Sequence, residues 1–457
     1  MHGATQPADE PANGTAPTNG WRAALRRGAG DTFRSLGVRN YRRYFAGQLV
    51  SQAGTWMQTV SVIWVALRLT DSGVALGLVT AAQYLPVLVL GAWGGVVADR
   101  VDRQRFMIKT QIGYTIVAIA YCALILTDRL SIGFIYVLSV LFGLLTALDS
   151  PTRRTLVVDL VEPELTPNAV ALHSAMMTGS RVVGPAVAGA LIASAGVEWC
   201  FVVNAVSYVA VLAALFSLDR SAIRSSPKVR RAKGQLMEGL RYAWGEAELR
   251  QSLLLLAVVG TLAFEYQVTL PLLSERTFGA GASGFTLLYS LMSVGSVVGA
   301  LAMARRSMID LRFLLVGAWG LVVTTTVLSL APTLALATVA AVGVGAATIL
   351  LPAGLSALVQ LHSADEFRGR VLSLSTVVFI GSTPIGGPIA GWVSEHYGPR
   401  AGLMLGAVST ALMAGWITFT QRRAARATRA VALSLNCGAN APNPAPGATN
   451  RQPEGFL

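Results

Sequence analysis

Long apolar runs recur along almost the whole chain and constrain its fold more than any other feature. Twelve of them are long enough to cross a bilayer as helices. The chain is 53% hydrophobic and only 13% charged, well below the charged fraction of a soluble protein. The sequence therefore predicts an all-α membrane protein with twelve transmembrane helices. We number them spans 1 to 12, at about 44–68, 74–98, 106–127, 131–150, 168–195, 199–218, 252–273, 284–304, 312–331, 333–359, 371–395 and 400–420.

Basic residues are distributed unevenly between the two predicted sides of the membrane. The opposite connections hold only Arg68, Arg129, Arg276 and Arg400, and Arg181 falls inside span 5. This bias places both termini in the cytoplasm and accounts for the net charge of +13, so we expect a lipid bilayer as partner and no nucleic acid. The other 31 of the 36 Lys and Arg residues fall in the predicted cytoplasmic segments 1–43, 99–109, 151–167, 219–250, 305–312, 362–370 and 422–457.

The two halves of the chain resemble copies of one another. Such a duplication predicts two six-helix bundles with pseudo-symmetry around a central cavity, an arrangement suited to alternating-access transport. Three short motifs recur at spacings of 201 to 204 residues, pairing Gly95 with Gly299, Pro151 with Pro352, and Gly184-Pro185 with Gly387-Pro388.

The predicted organisation has two bundles, one connector and two tails. The bundles cover residues 41–218 and 251–421, and a cytoplasmic connector at 219–250 joins them. Within this connector, GQLMEGLRYAWGEAE is predicted to be helical and to lie on the membrane surface. Polar tails at 1–40, with basic residues, and at 422–457 are predicted to be disordered.

A charged motif, GGVVADRVDRQRFMIK at 94–109, lies between spans 2 and 3. It resembles the loop signature of the major facilitator superfamily, and that resemblance covers about residues 35–420. It implies that the loop latches the two halves together in one state and that Asp99 meets the start of span 11 near Arg368–Val371. The alternative is that the charges only fix the topology. The predicted latch residues are Gly95, Asp99, Arg100, Asp102, Arg103, Arg105 and Asp149, and Asp149 at the end of span 4 is expected to pair with Arg153, Arg154 or the loop arginines.

A narrower resemblance concerns spans 1, 4, 5 and 11. Four segments are similar to the branch that contains the enterobactin exporter and macrolide efflux proteins: NYRRYFAGQLVSQAGTWMQ, LDSPTRRTLV, NAVALHSAMMTGSRVVGPAVAG and RGRVLSLSTVVFIGSTPIGGPIAGW. The Gly-Pro element of span 5 also resembles the motif of drug–proton antiporters, and the alternative is an ordinary helix kink. Its residues are Arg181, Gly184, Pro185 and Gly189, of which the glycines permit close helix packing. The resemblance implies export.

Glu265 lies midway along span 7, where a charged side chain is costly. Because burial disfavours the charged form of a carboxyl group, we expect this residue to bind and release protons during transport. The alternatives are a cationic-substrate site and a structural, protonated glutamate. Pro271 is expected to break the same helix. Arg181 is always charged and needs a carboxylate, carbonyl groups or an anionic substrate as partner.

Polar and aromatic residues of several spans are candidates for the lining of the substrate cavity. Aromatic rings with a few polar groups suit an amphipathic molecule such as a drug, macrolide or siderophore. For the residues of span 1, hydrogen bonds between helices are an equal alternative. The candidates are Gln48, Gln52, Thr55, Trp56, Gln83, Tyr84, Tyr266, Gln267, Tyr289 and Met292.

Together these features predict a monomeric secondary transporter of the bacterial cytoplasmic membrane. It would export a small amphipathic molecule by proton antiport. No cofactor or metal is expected, since the three cysteines show no metal-ligand spacing. We expect no enzymatic activity, because Asp99 and Asp102 lack the second aspartate cluster that a metal–diphosphate enzyme needs. A sensor or scaffold of the same fold without transport activity is the other alternative.

Overall fold

The computed structural model describes residues 32–98, 100–224, 235–306 and 309–439. This part of the chain is almost entirely helical and contains no β-strand. Eleven of its helices are long and apolar enough to span a membrane. The twelfth, Arg39–Thr70, has 32 residues but carries more polar side chains, and it corresponds to span 1. The predicted fold class is therefore confirmed.

Six helices form the N-terminal half and correspond to spans 1 to 6. They are α1 (Arg39–Thr70), α2 (Gly73–Ala98), α3 (Arg103–Leu126), α4 (Ile132–Asp159), α5 (Thr166–Ser194) and α6 (Glu198–Phe216). After the connector helix α7 (Gln235–Gly245), the C-terminal half contains α8 (Ala247–Leu262), α9 (Tyr266–Leu272), α10 (Gly281–Ala304), α11 (Leu311–Leu330), α12 (Leu334–His362), α13 (Asp365–Tyr397) and α14 (Pro399–Ala439). Span 7 thus consists of α8 and α9, and spans 8 to 12 are α10 to α14.

The helix contacts repeat between the two halves. In the N-terminal half α2 packs on α4 and α1 packs on α6, and in the C-terminal half α10 packs on α12 and α8 packs on α14. The halves meet along two pairs that are equivalent under this symmetry, α2 with α13 and α5 with α10. This pattern is the one expected from a duplicated six-helix unit.

The glycine-rich ends of α2 and α10 explain part of the sequence repeat. A side chain on Gly94, next to the predicted anchor Gly95, would collide with the carbonyl oxygen of Ala147 on α4. On α10, a Cβ at Gly299 would lie 2.9 Å from the Cα atom of Ala346 on α12. Small residues are therefore needed at both places, because the helix backbones approach each other closely.

Several helix boundaries differ from the prediction. The end of the tail predicted to be disordered at 1–40 is helical, with a 3-10 helix at Arg34–Gly37 and the start of α1 at Arg39. Helix α4 continues past Pro151 to Asp159, where Arg103 forms an ion pair with its last residue. Helix α14 continues to Ala439, so residues 422–439 of the predicted disordered tail are helical, as suits their many Ala and Arg residues. Span 7 is interrupted at Ala263–Glu265 and not at Pro271, which lies inside α9.

The helix predicted in the connector is confirmed and docks on the C-terminal half. The ring of Tyr242 on α7 stacks on Phe367 of α13 with 4.4 Å between centroids. Arg370 Nη1 lies 2.9 Å from Glu238 Oε2. The connector segment 225–234, most of the N-terminal tail and residues 440–457 lie outside the described residues.

Candidate functional site

An aromatic and cationic cluster lies where the two halves face each other near the middle of the helices. Arg181 on α5 places its guanidinium carbon 4.7 Å from the ring centre of Trp56 on α1. The Trp56 ring is 6.4 Å from the ring of Tyr289 on α10, which belongs to the other half. These three residues therefore join the N-terminal and C-terminal halves at one place.

Two more predicted residues belong to this cluster. Gln267 on α9 places its Nε2 atom 3.5 Å from the hydroxyl oxygen of Tyr289. Tyr84 on α2 lies within electrostatic reach of Tyr289, Arg181 and Gln267. We call Trp56, Tyr84, Arg181, Gln267 and Tyr289 the central cluster. It presents aromatic rings, one permanent positive charge and one amide.

Glu265 lies beside the central cluster, at the interruption of span 7. Its backbone carbonyl begins α9 by accepting hydrogen bonds from the amides of Val268 and Thr269, at 3.1 and 3.0 Å. Its side chain is 3% exposed, and Oε1 makes no hydrogen bond within the described part of the chain. Burying a carboxyl oxygen without a hydrogen-bond donor is costly.

Glycines on α13 make room for the Glu265 carboxyl group. A Cβ added to Gly386 would lie 2.7 Å from Glu265 Oε1, and one added to Gly387 would lie 3.5 Å from Oε2. Gly387 is also the point where α2 of the other half crosses, since a Cβ on Gly77 would lie 2.7 Å from the Cα atom of Pro388. Glu265 therefore sits directly behind a backbone contact between the halves.

The Gly-Pro element of span 5 has the equivalent position in the N-terminal half. A Cβ on Gly184 would lie 2.6 Å from the Ala53 carbonyl oxygen and 2.6 Å from the Trp56 Cβ atom, both on α1. Gly189 faces the Thr286 hydroxyl on α10, across the interface between the halves. Pro185 lies inside α5. The close packing predicted for these glycines is thus observed.

The remaining cavity candidates have other surroundings. The Thr55 hydroxyl lies 3.1 Å from that of Tyr208 on α6, and Gln52 donates to Gln48 over 3.3 Å, so span 1 uses these residues within the N-terminal half. Gln83 lines a small internal space shared with Tyr121. Two further candidates are in the C-terminal half: Tyr266 lies beside Thr325 and Thr348, and Met292 belongs to the hydrophobic core.

The charged loop between α2 and α3 combines helix capping with ion pairs. Asp102 caps α3 by accepting a hydrogen bond of 2.9 Å from the Arg105 amide, and its other oxygen lies 3.6 Å from Arg105 Nε. Arg103 pairs with Asp159 at the end of α4, and Arg100 is exposed. Asp99 lies outside the described residues, so its contact with the start of span 11 stays a prediction.

Asp149 on α4 is buried, and of its predicted partners Arg153 is the one observed. Its Oδ2 accepts a hydrogen bond of 2.9 Å from Arg153 Nε, one turn further along α4. Its Oδ1 accepts from the hydroxyl of Thr110 over 2.7 Å and from Gln111 Nε2 over 3.3 Å, both on α3. The carboxylate is therefore fully satisfied within the N-terminal half.

Polar contacts also join the halves at the end that the charge bias places outside the cell. Arg276, just after α9, contacts Asp71, with 3.2 Å between Nη2 and Oδ1. Glu395 near the end of α13 accepts hydrogen bonds from the Ser72 hydroxyl over 2.6 Å and from the Val74 amide over 3.0 Å. We call these residues the external clasp. Sequence reasoning missed them, because polar residues in short connections are too common to indicate a contact.

The described residues contain no group of three or more His, Cys, Asp or Glu side chains arranged to hold a metal ion. A two-bundle helical fold with its polar cluster between the bundles defines a membrane transporter of the major facilitator type. The transmembrane secretion effector family model matches residues 31–443, and the chain belongs to that family within the superfamily.

The chain is similar in sequence to several named transporters. The chain is 25% identical over 270 residues to the staphyloferrin A transporter of Staphylococcus aureus. The aligned region makes up 57% of this chain and just under two thirds (66%) of that protein. It is 25% identical over 361 residues to macrolide efflux protein A of Streptococcus pyogenes, covering 75% of this chain and 86% of the relative. Over 368 residues it is 23% identical to the enterobactin exporter EntS of Escherichia coli O1:K1 / APEC, covering 79% and 86%.

Solved structures confirm the fold. A bacterial homologue of the human lysosomal transporter Spinster, in an inward-facing and unoccupied conformation, matches with a TM-score of 0.64 and 15% identity, over 84% of this chain and 96% of the other. A bacterial homologue of the iron transporter ferroportin in an inward-facing state matches with a TM-score of 0.60 and 18% identity, over 82% and 98%.

Proposed function

We propose that this protein exports a small amphipathic molecule across the bacterial cytoplasmic membrane by proton antiport with alternating access. Both termini face the cytoplasm in this proposal. The observation that carries it is the position of Glu265, a buried carboxyl group behind the contact of α2 with α13, whose Oε1 has no hydrogen-bond partner among the described residues. Such a group stays neutral while the contact is closed and can ionise when water reaches it.

The position of Glu265 couples proton binding to the opening of the external side in this proposal. When the halves separate at the external side, Gly77 leaves Gly387 and the Glu265 carboxyl group becomes accessible to water. Proton uptake from outside then favours closure, since only the neutral acid tolerates burial between the helices. In the other half, Tyr84 lies close enough to Glu265 for the two groups to interact electrostatically.

The central cluster supports a substrate with an apolar or aromatic body. Trp56 and Tyr289 offer ring surfaces from opposite halves, and Gln267 and Tyr84 offer hydrogen-bonding groups. Relatives named as a staphyloferrin A transporter, a macrolide efflux protein and an enterobactin exporter support small organic molecules as cargo and export as the direction.

Purified protein in liposomes with an entrapped pH-sensitive dye tests the proposal. Erythromycin and enterobactin serve as the two probes, and protein-free liposomes are the control for passive leakage. We expect at least one probe to move against its gradient when a pH gradient is imposed, and to move protons in the opposite direction. If a probe is transported without any proton movement and at a rate that does not depend on the pH gradient, proton coupling is contradicted.

A further inference from the structure

Arg181 is the one permanent charge of the central cluster, and within the described chain no carboxylate lies within ion-pair distance of it. The buried acids Asp149 and Glu265 do not compensate its charge. Asp149 is satisfied by Arg153 and by α3, and Glu265 is buried against α13. Arg181 itself is exposed, although it lies in the middle of α5.

The exposed side of Arg181 continues toward the cytoplasmic end of α5. Ser174, Thr178 and Arg181 follow a spacing of four and three residues, so they lie on one face of the helix, and all three are exposed or half-buried. A polar, accessible strip thus leads from the cytoplasmic end to the guanidinium group.

The ring of Trp56 lies against one face of the guanidinium group. When a guanidinium group lies above an aromatic ring, the N–H donors along the edge of the guanidinium plane stay free for another partner. A planar carboxylate or a similar oxygen anion fits these donors, and the Tyr289 ring and Gln267 amide lie next to Trp56 to contact an attached apolar body.

From this geometry we infer that the transported substrate is an organic anion, an aromatic or apolar body with a carboxylate-like group that binds Arg181. The inference rests on the proposed transport function and narrows the substrate to organic anions. Substrates with an amine instead of the anion are disfavoured, because Arg181 would repel them and Glu265 is shielded by the helix contact.

Three probes that share one ring system test the inference: 1-naphthoate, 1-naphthamide and 1-naphthylmethylamine. Their affinities for the full chain in detergent are measured at pH 7 by calorimetry or by quenching of tryptophan fluorescence. We expect naphthoate to bind about tenfold or more tighter than the amide, as a charged hydrogen bond predicts, and the amine to bind weakest. Arg181→Gln should remove this preference.

Matched variants separate a specific site from a general charge effect. Arg129→Gln, which removes an exposed arginine between α3 and α4, should leave the preference for naphthoate unchanged. Arg181→Lys should retain part of it, and thermal unfolding of each variant checks that the protein is folded. Binding of the amine or amide as tightly as naphthoate, no binding of naphthoate, or a preference that survives Arg181→Gln would overturn the inference.

The two proposals can fail independently. If a probe drives proton movement in liposomes but shows no charge preference, the transport mechanism stands and the anion assignment is wrong. If naphthoate binding depends on Arg181 but no transport responds to a pH gradient, the anion site stands and proton antiport is wrong.

Discussion

The Glu265 carboxyl group lies against Gly386, where an added Cβ would be 2.7 Å from Oε1. The same Cβ would also collide with the carbonyl oxygen of Thr261 on α8. The acid, the interrupted helix and the glycine of α13 therefore depend on each other. A side chain at position 386 would have to displace either the α8 backbone or the carboxyl group.

Gly386→Ala is expected to destabilise the protein by about 1–3 kcal/mol, because overpacking of a tight contact forces the backbone apart. It should also reduce proton-coupled transport by moving Glu265 away from its place behind α2. Thermal unfolding in detergent and transport in liposomes measure the two effects. Gly415→Ala in α14, where an added Cβ meets nothing within 4 Å, is the control and should be neutral or stabilising. Equal behaviour of the two variants would contradict the packing argument.

Loss of the external clasp should make the external side open more easily. Arg276→Gln removes the contact with Asp71, and we expect a shift of about 1 kcal/mol, or about fivefold, toward the open state. Thr80→Cys reports this opening, since Thr80 is buried on α2 beside Gly387. In a background without the native cysteines, its labelling by a membrane-impermeant thiol reagent added from outside should become faster.

Arg129→Gln is the control for the clasp experiment, because this exposed arginine is predicted to lie on the same side of the membrane. It should leave the labelling rate of Thr80→Cys unchanged. An unchanged rate in Arg276→Gln as well would show that the clasp does not hold the external side closed.

The buried pair of Asp149 and Arg153 should behave as a unit. Asp149→Asn leaves the Arg153 charge without its partner, and breaking a buried pair in this way costs about 3–5 kcal/mol. The double variant Asp149→Asn with Arg153→Met should recover most of the lost stability, because no unpaired charge remains. Thermal unfolding of the two single variants and the double variant measures the coupling. Additive losses would contradict the pairing.

Sequence periodicity predicted most of the fold because each span must satisfy its backbone hydrogen bonds internally and must match the bilayer thickness. The predicted span 74–98 is α2, Gly73–Ala98, and span 284–304 is α10, Gly281–Ala304, each within three residues. The repeat of Gly184-Pro185 and Gly387-Pro388 indicated the two equivalent helices, α5 and α13, through which the halves meet.

The sequence predicted the residues of the site but not which of them lie together in the structure. Intramembrane charge pointed to Glu265 and Arg181, yet spacing along the chain does not reveal that one is buried behind α2 while the other is exposed beside Trp56. The polar residues of span 1 show the same limit, since Thr55 and Trp56 are neighbours in sequence but face α6 and the central cluster, respectively. Helix rotation, which packing decides, separates these roles.

The most direct test of the account is Glu265→Gln in liposomes, with the transported probe followed in two assays. Glutamine resembles the neutral acid, so we expect exchange of the probe at equal pH on both sides to continue while accumulation driven by a pH gradient is lost. Glu164→Gln, at an exposed position before α5, is the control and should keep both activities. Accumulation by Glu265→Gln at the wild-type rate under the pH gradient would contradict the proposed role of this residue.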